Sequence, residues 1–332
     1  MQGRRRAGQS PMTCALARLR TNFAAQEGAC MKGLFIDATA ELAGVLRHVR
    51  AGSDPVIDIN ETADIDQACL PQLLAGYQFL FDDHSALPTQ ALAKCTDLKH
   101  VIFLGTGARS YMNPEELAAL GITVHIIKGY GDTAVAEHTI ALMWAASRGL
   151  ARMDREMRAG HWLRTEGMQL TGKTIGLIGY GGIAAEVARI AVGSGMKVLA
   201  WNRSPKAAPG VEFVSLERLL AESHVVSLHL LLNDETRGFL SAERIGQMRP
   251  GAILVNTARG ALVDEAAMIA ALRSGQIGHA ALDVFDVEPL PFPHPLSALE
   301  CVTLAAHSAF RTPEATQTLI RRAVAIARDL VA

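Results

Sequence analysis

One short stretch constrains this chain more than any other. The apolar run Thr174–Ile178 ends directly on Gly179-Tyr180-Gly181-Gly182-Ile183-Ala184, and a helical pattern over Ala185–Val192 follows at once. At such a strand-to-helix junction each small residue has a physical task. Gly179 permits the tight turn, Gly181 lets the backbone approach an anion, and Ala184 lets the helix lie close to the sheet. The first-turn amides of the helix then face a phosphate. The glycine string alone is weak evidence. Its position between a strand and a helix, with another β-like run at Lys197–Trp201, predicts a βαβ unit that binds a dinucleotide.

The same alternation extends in both directions. Upstream, β-like runs recur at Gly33–Ile36, Tyr77–Phe81, His100–Leu104 and Ile122–Ile126, with amphipathic segments between them. Downstream they recur at His224–His229, Ala252–Asn256, His279–Asp283 and Cys301–Ala305. Strands that alternate with helices form parallel sheets. Helical patterns over Thr133–Arg148 and near Met153–Ala159 read as the connection between two domains, and a last helix is expected over Pro313–Leu330. The reading is therefore α/β, with two doubly wound parallel-sheet domains in 332 residues and a cleft between them.

Composition narrows the partners. A formal charge of -1 gives no general attraction to nucleic acid or to an anionic membrane, so a small molecule is expected. The longest apolar stretch, Ile140–Ala146, is far short of a membrane span. Cys14, Cys30, Cys69, Cys95 and Cys301 are scattered, without CxxC spacing or a nearby His cluster at zinc-ligand intervals, which predicts reduced thiols in a soluble cytoplasmic protein and no metal site. Residues 1–30 carry five arginines and one acid, and read as a flexible extension before a fold that starts at Met31.

Several residues at predicted strand ends can do chemistry. Arg259 follows the run Ala252–Asn256, before a helix that Asp264 can cap, and a guanidinium there can grip a carboxylate and polarise the adjacent carbonyl. His307 lies just past Cys301–Ala305, where an imidazolium can donate a proton. The turn Gly105-Thr106-Gly107 can aim backbone amides at an anion. After Lys197–Trp201 stands Asn202-Arg203-Ser204, where a site for NAD usually presents Asp or Glu to the ribose. Without that carboxylate, and with Arg203 and Lys206 near by, NADP is expected in preference to NAD.

Taken in order, Gly105-Thr-Gly107, Gly129-Tyr-Gly-Asp-Thr-Ala-Val-Ala-Glu-His138, the Gly179 loop, Val255-Asn-Thr-Ala-Arg-Gly-Ala-Leu-Val-Asp264, Ala281-Leu-Asp-Val-Phe-Asp-Val-Glu-Pro289 and Ala306-His307 form a distinctive series. With it the chain resembles the D-isomer-specific 2-hydroxyacid dehydrogenases from Met31 onward. The resemblance implies a discontinuous, flavodoxin-like substrate domain (31–128 and 307–332) and a Rossmann domain (129–306). It implies Arg259 for the substrate carboxylate and carbonyl, His307 as acid/base, and Glu288 as its partner. Asp283 would meet the nicotinamide carboxamide while Thr257 and Ala258 line the ring. Leu230, Leu231 and Thr236, next to His229, would underlie the adenosine half, although Leu231 replaces a common Pro. Thr106 and Gly107 would take the substrate carboxylate, and His84 would line the pocket. The loop Phe81-Asp-Asp-His-Ser85 lacks the Arg of many members, and Asp82 and Asp83 argue against a phosphorylated substrate. The implied activity is hydride transfer between NAD(P)H and a small 2-oxo acid, with glyoxylate, hydroxypyruvate and pyruvate in that order. The implied assembly is a homodimer through Thr133–Arg148 and the Trp162 region. A dinucleotide-sensing co-repressor and a phosphite dehydrogenase share the scaffold. Formate is disfavoured, because formate-oxidising relatives carry Gln where Glu288 stands.

Overall fold

The structure, a computed structural model, describes residues 31–62, 65–204 and 206–331, so the extension expected over residues 1–30 lies outside it. The chain divides into two compact units. The first ends at Lys128 and takes in the residues from Leu319 on, and the second is Gly129–Thr318.

In the first unit, β1 (Gly33–Phe35), β2 (Ile57–Ile59), β3 (Phe79–Asp82), β4 (His100–Phe103) and β5 (Thr123–Ile126) form one sheet in the order β2-β1-β3-β4-β5. All pairs are parallel, the flavodoxin-like order. The central strands are buried on both faces, which is why they read as unbroken apolar runs rather than alternating ones. Gly33 sits opposite Phe79, and a Cβ there would come within 2.1 Å of the Phe79 ring. Leu34, Leu80, Val101 and Phe103 pack with Leu70, Leu74, Leu92 and Leu117 from the covering segments. The helix Pro313–Val331 adds its later turns to this unit, where Arg328 chelates Asp54 and Arg322 donates to the Lys128 carbonyl. The Arg328 hydrogen bond holds the buried Asp54 carboxyl below its usual range.

The second unit is a seven-stranded parallel sheet. Its strands are β6 (Thr174–Ile178), β7 (Lys197–Trp201), β8 (Val211–Phe213), β9 (Val225–Leu228), β10 (Ala252–Asn256), β11 (Ile277–Leu282) and β12 (Val302–Leu304), in the order β12-β11-β10-β9-β6-β7-β8. The order reverses between β6 and β9, the switch point at which doubly wound sheets bind ligands. Ala136, Ile140 and Met143 of the helix Asp132–Arg148 pack on Ile175, Leu177 and Val255.

Four details differ from the sequence reading. β2 and β8 were not expected, since the acids Asp58 and Glu212 at their centres keep Ile57–Ile59 and Val211–Phe213 from reading as apolar runs. The second connecting helix starts at Leu150, because Gly149 with φ 62° ends one helix and begins the next. The phosphate-loop helix is Gly182–Gly193, a turn earlier than the apolar pattern suggests. The units part at Thr318 instead of residue 306, because the amides of His307, Ser308 and Ala309 are bonded to Asp283 and Phe310 lies against Gly131, all in the second unit. No described helix is long and apolar enough to cross a membrane.

Candidate active site

The turn after β6 needs its glycines. Gly179 has φ 89°, and a Cβ would lie 2.7 Å from the His229 carbonyl oxygen. Gly181 precedes the helix Gly182–Gly193 and offers no side-chain cap, and among the described residues nothing stands within 4 Å of its Cβ position. First-turn amides beside open space fit the pyrophosphate of a dinucleotide. At Gly182 a Cβ would collide with the Asp132 carboxylate, while Ile183 and Ala184 anchor the first turn on the core.

At the end of β7, Asn202 splices two loops. Its Oδ1 accepts from the Tyr180 amide (3.1 Å) and its Nδ2 donates to the Ser204 carbonyl (2.9 Å), while Lys206 donates to the Tyr180 carbonyl. Arg203 pairs with Glu235 at 3.0 Å, both well exposed. After β9, His229 is half-buried and bonded to Ser227, and burial pushes its imidazole down to about 4, so it is neutral at physiological pH. Leu230 packs on the core, whereas Leu231 is 69% exposed. Thr236 donates to the Leu231 carbonyl at 2.6 Å, closing a turn with Asn233. The backbone thus has a fixed shape without the proline.

The reactive groups gather past β10, β11 and β12. Asn256, buried at the end of β10, accepts from the Ala258 amide (3.0 Å) and donates to the Arg259 carbonyl (2.9 Å), fixing the turn Thr257-Ala258-Arg259. The Arg259 guanidinium donates to the Ala258 carbonyl at 2.7 Å. Residue 260 must be glycine, since a Cβ would lie 1.9 Å from the Phe285 carbonyl carbon, and this close approach holds the Arg259 turn against the loop leading to Glu288. Glu288 Oε1 accepts from the Phe285 amide (2.8 Å) and Oε2 meets His307 Nδ1 at 2.6 Å. Burial opposes charge on Glu288, but the bonds from His307 and Phe285 and the nearby Arg259 outweigh it and hold the carboxyl below its usual range. That stabilisation is present above the ordinary carboxylate range and is lost as pH falls through the lowered value. Among the described residues His307 is the non-glycine residue with positive φ, 46°, a conformation costing about 1–3 kcal/mol that persists at sites where function requires it.

Asp283 is fully buried, and its oxygens accept from the Ser308 and Ala309 amides, both at 3.0 Å. Its role in this arrangement is to brace the segment that carries His307. Asn256, His138 and Thr139 escaped assignment from sequence. The first and second stood in the ordered motifs, the one signal that could have found them.

The first unit holds its own cluster beyond β1, β3 and β4. Asp37, wholly buried, accepts from the amides of Asp83, His84 and Ser85 and from the Ser85 hydroxyl, all between 2.8 and 3.3 Å. Burial, then the Asp37 charge, pushes Asp82 well above the usual range. His84 is exposed on this braced loop, with Nδ1 3.2 Å from Asp83. Thr106, exposed, and Gly107, half-buried, follow β4. Thus Arg259, Glu288, His307, Asp283, Thr257 and Ala258 converge in one unit, and His84, Thr106 and Gly107 lie past neighbouring strands of the other.

Residues 140–309 match the model of the D-isomer specific 2-hydroxyacid dehydrogenase NAD binding domain. The chain is 43% identical over 226 residues to a glyoxylate reductase of Aeropyrum pernix, covering 64% of this chain and 67% of that one. It is 34% identical over 256 residues to a glycerate dehydrogenase of Methylorubrum extorquens, covering 74% and 80%. The fold superposes on a glyoxylate reductase from Paecilomyes thermophila with a TM-score of 0.82 and 26% identity, over 92% of this chain and 96% of that one.

Proposed function

Because the chain belongs to the D-isomer-specific 2-hydroxyacid dehydrogenase family, we propose that it reduces small 2-oxo acids to D-2-hydroxy acids, glyoxylate and hydroxypyruvate ahead of pyruvate. The observation that carries this reading is the His307 Nδ1–Glu288 Oε2 contact of 2.6 Å in the same unit as Arg259. When bound, reduced nicotinamide dinucleotide supplies the hydride. Arg259 binds the substrate carboxylate and draws electron density from the adjacent carbonyl. Glu288 holds the proton on His307 Nδ1, which leaves Nε2 to give its proton to the carbonyl oxygen and to take it back in the reverse direction. The carbonyl carbon gains a hydride and the oxygen a proton, giving the secondary alcohol. The names of the relatives, glyoxylate reductase and glycerate dehydrogenase, favour two- and three-carbon acids.

NADPH is the preferred reductant in this reading. Asn202 places no charge against a 2′-phosphate, and an exposed pair such as Arg203–Glu235 is weak enough for the guanidinium to turn to it. The test is a panel of 2-oxo acids assayed with both reductants. NADPH is expected to be favoured by about 1–3 kcal/mol in kcat/KM, the worth of one charge-assisted hydrogen bond. Asn202→Asp and Arg203→Ala should each move the ratio toward NADH, and a wild type that prefers NADH would refute this part.

A cytoplasmic homodimer completes the proposal. Cys95 and Cys301 are free thiols. Trp144, Leu150, Met157 and Trp162 expose apolar surface along the helices Asp132–Arg148 and Leu150–Arg158 and just beyond, and Trp162 is 79% exposed. Sedimentation at micromolar concentration should give twice the chain mass of 35.5 kDa, and a monomer would overturn the assembly.

A further inference from the structure

His307 takes its left-handed conformation from the residues that grip its neighbours. The Asp283 main-chain oxygen accepts from the His307 amide at 2.8 Å, and its carboxylate oxygens hold Ser308 and Ala309. Three consecutive amides are thereby tied to one residue with no exposed surface. A buried carboxylate needs a cationic or N–H partner to stay in such a place. Opposite it, on the helix Asp132–Arg148, His138 Nε2 lies 3.4 Å from Asp283 Oδ1. That length is long for a hydrogen bond, and Nε2 is itself buried with no hydrogen-bond partner. Asp283 Oδ1 thus faces His138 Nε2 while also taking the Ser308 amide.

The next residue on the helix does a parallel task. Thr139 donates its hydroxyl proton to the Val135 carbonyl at 2.7 Å, so in its 2.8 Å contact with Thr257 it is Thr257 that donates. Consecutive residues of one helix therefore reach the ends of β11 and β10, beneath the residues assigned to the reaction. We propose that His138 is a positioning residue: its buried Nε2, 3.4 Å from Asp283 Oδ1, fixes the carboxylate that anchors residues 307–309 and so sets the His307 ring for proton transfer. Burial works against an ionised Asp283, yet the His138 contact and the two amides hold its carboxyl below the usual range, in keeping with this arrangement. The proposal rests on His307 being the acid, but the anchoring itself can be read without turnover.

Hydrogen exchange of the peptide spanning residues 305–312, followed in the protein without added cofactor, gives that reading. In His138→Ala the Ser308 and Ala309 amides should exchange about tenfold faster, the effect of weakening one charge-assisted contact. In the same variant kcat for 2-oxo acid reduction should fall about tenfold, with KM for the reduced dinucleotide within twofold. His138→Gln keeps an N–H donor and should recover both quantities. His138→Phe keeps the ring without the donor, and should behave as the Ala variant even if the latter folds poorly. Wild-type exchange in His138→Phe overturns the proposal whatever the turnover, as does an increase spread evenly over the whole sheet, which would mean only lost packing. A protein that reduces no 2-oxo acid, yet shows faster exchange confined to residues 307–309, sinks the functional reading and leaves the anchor standing.

Discussion

His307→Gln is expected to lower kcat by about 10²- to 10⁴-fold, the worth of a positioned proton donor, while the KM for the reduced dinucleotide stays near its wild-type value. The geometry adds a control. At φ 46° a Gln side chain is strained, whereas Asn accepts the left-handed region more readily. His307→Asn should therefore lose as much activity with a smaller loss of thermal stability. Steady-state kinetics and a melting curve on both variants check this, and wild-type-like turnover in either one removes His307 from the mechanism. Losing the imidazole also leaves Glu288 Oε2 without its 2.6 Å partner, although Oε1 keeps the Phe285 amide, so the loop should hold.

Arg259→Ala should cost as much or more, and in a different pattern. One group binds the carboxylate in the ground state and polarises the carbonyl in the transition state, so KM for the 2-oxo acid should rise and kcat should fall together. Two lost charge-assisted bonds, about 1.5–3 kcal/mol each, predict a drop of about 10²- to 10⁴-fold in kcat/KM. Arg259→Lys restores charge without the planar fork and should recover only part of it. The turn itself should survive, because Asn256 fixes its backbone through the Ala258 amide and the Arg259 carbonyl. An unchanged kcat/KM in Arg259→Ala would exclude the assignment.

These residues were legible in the sequence because each follows an apolar run, Ala252–Asn256 or Cys301–Ala305, and because glycine marks the turns. Gly179 and Gly260 illustrate why: at both, backbone stands where a Cβ would go, so a chemical necessity is written as a residue type. Long-range pairing leaves no such mark. Asp37 gathers the amides of residues 83–85 across the sheet, yet in sequence it is only an acid after a strand. The positive φ of His307 is equally silent, because it is imposed by Asp283 and not by the residues beside it. A central acid hid Ile57–Ile59 and Val211–Phe213, whose place is set by their parallel partners. That the residues from β12 to Thr318 group by contact with the second unit is hidden for a related reason, since a helical pattern says nothing about what its first turns touch.

The discontinuity of the first unit also orders events in time. The ribosome delivers Gly33–Phe35, Ile57–Ile59 and their companions early, but Arg322 and Arg328, which secure Lys128 and Asp54, emerge only after the entire stretch Gly129–Thr318. The second unit is one uninterrupted segment and can close as soon as it leaves the exit tunnel. The portion synthesised first is thus the portion finished afterwards, and for that interval its sheet waits without its last helix. Parallel pairing makes the wait longer, since every strand must find a partner across a crossover rather than across a hairpin. During biosynthesis, then, the unit that carries His84, Thr106 and Gly107 is the one that waits for its last helix.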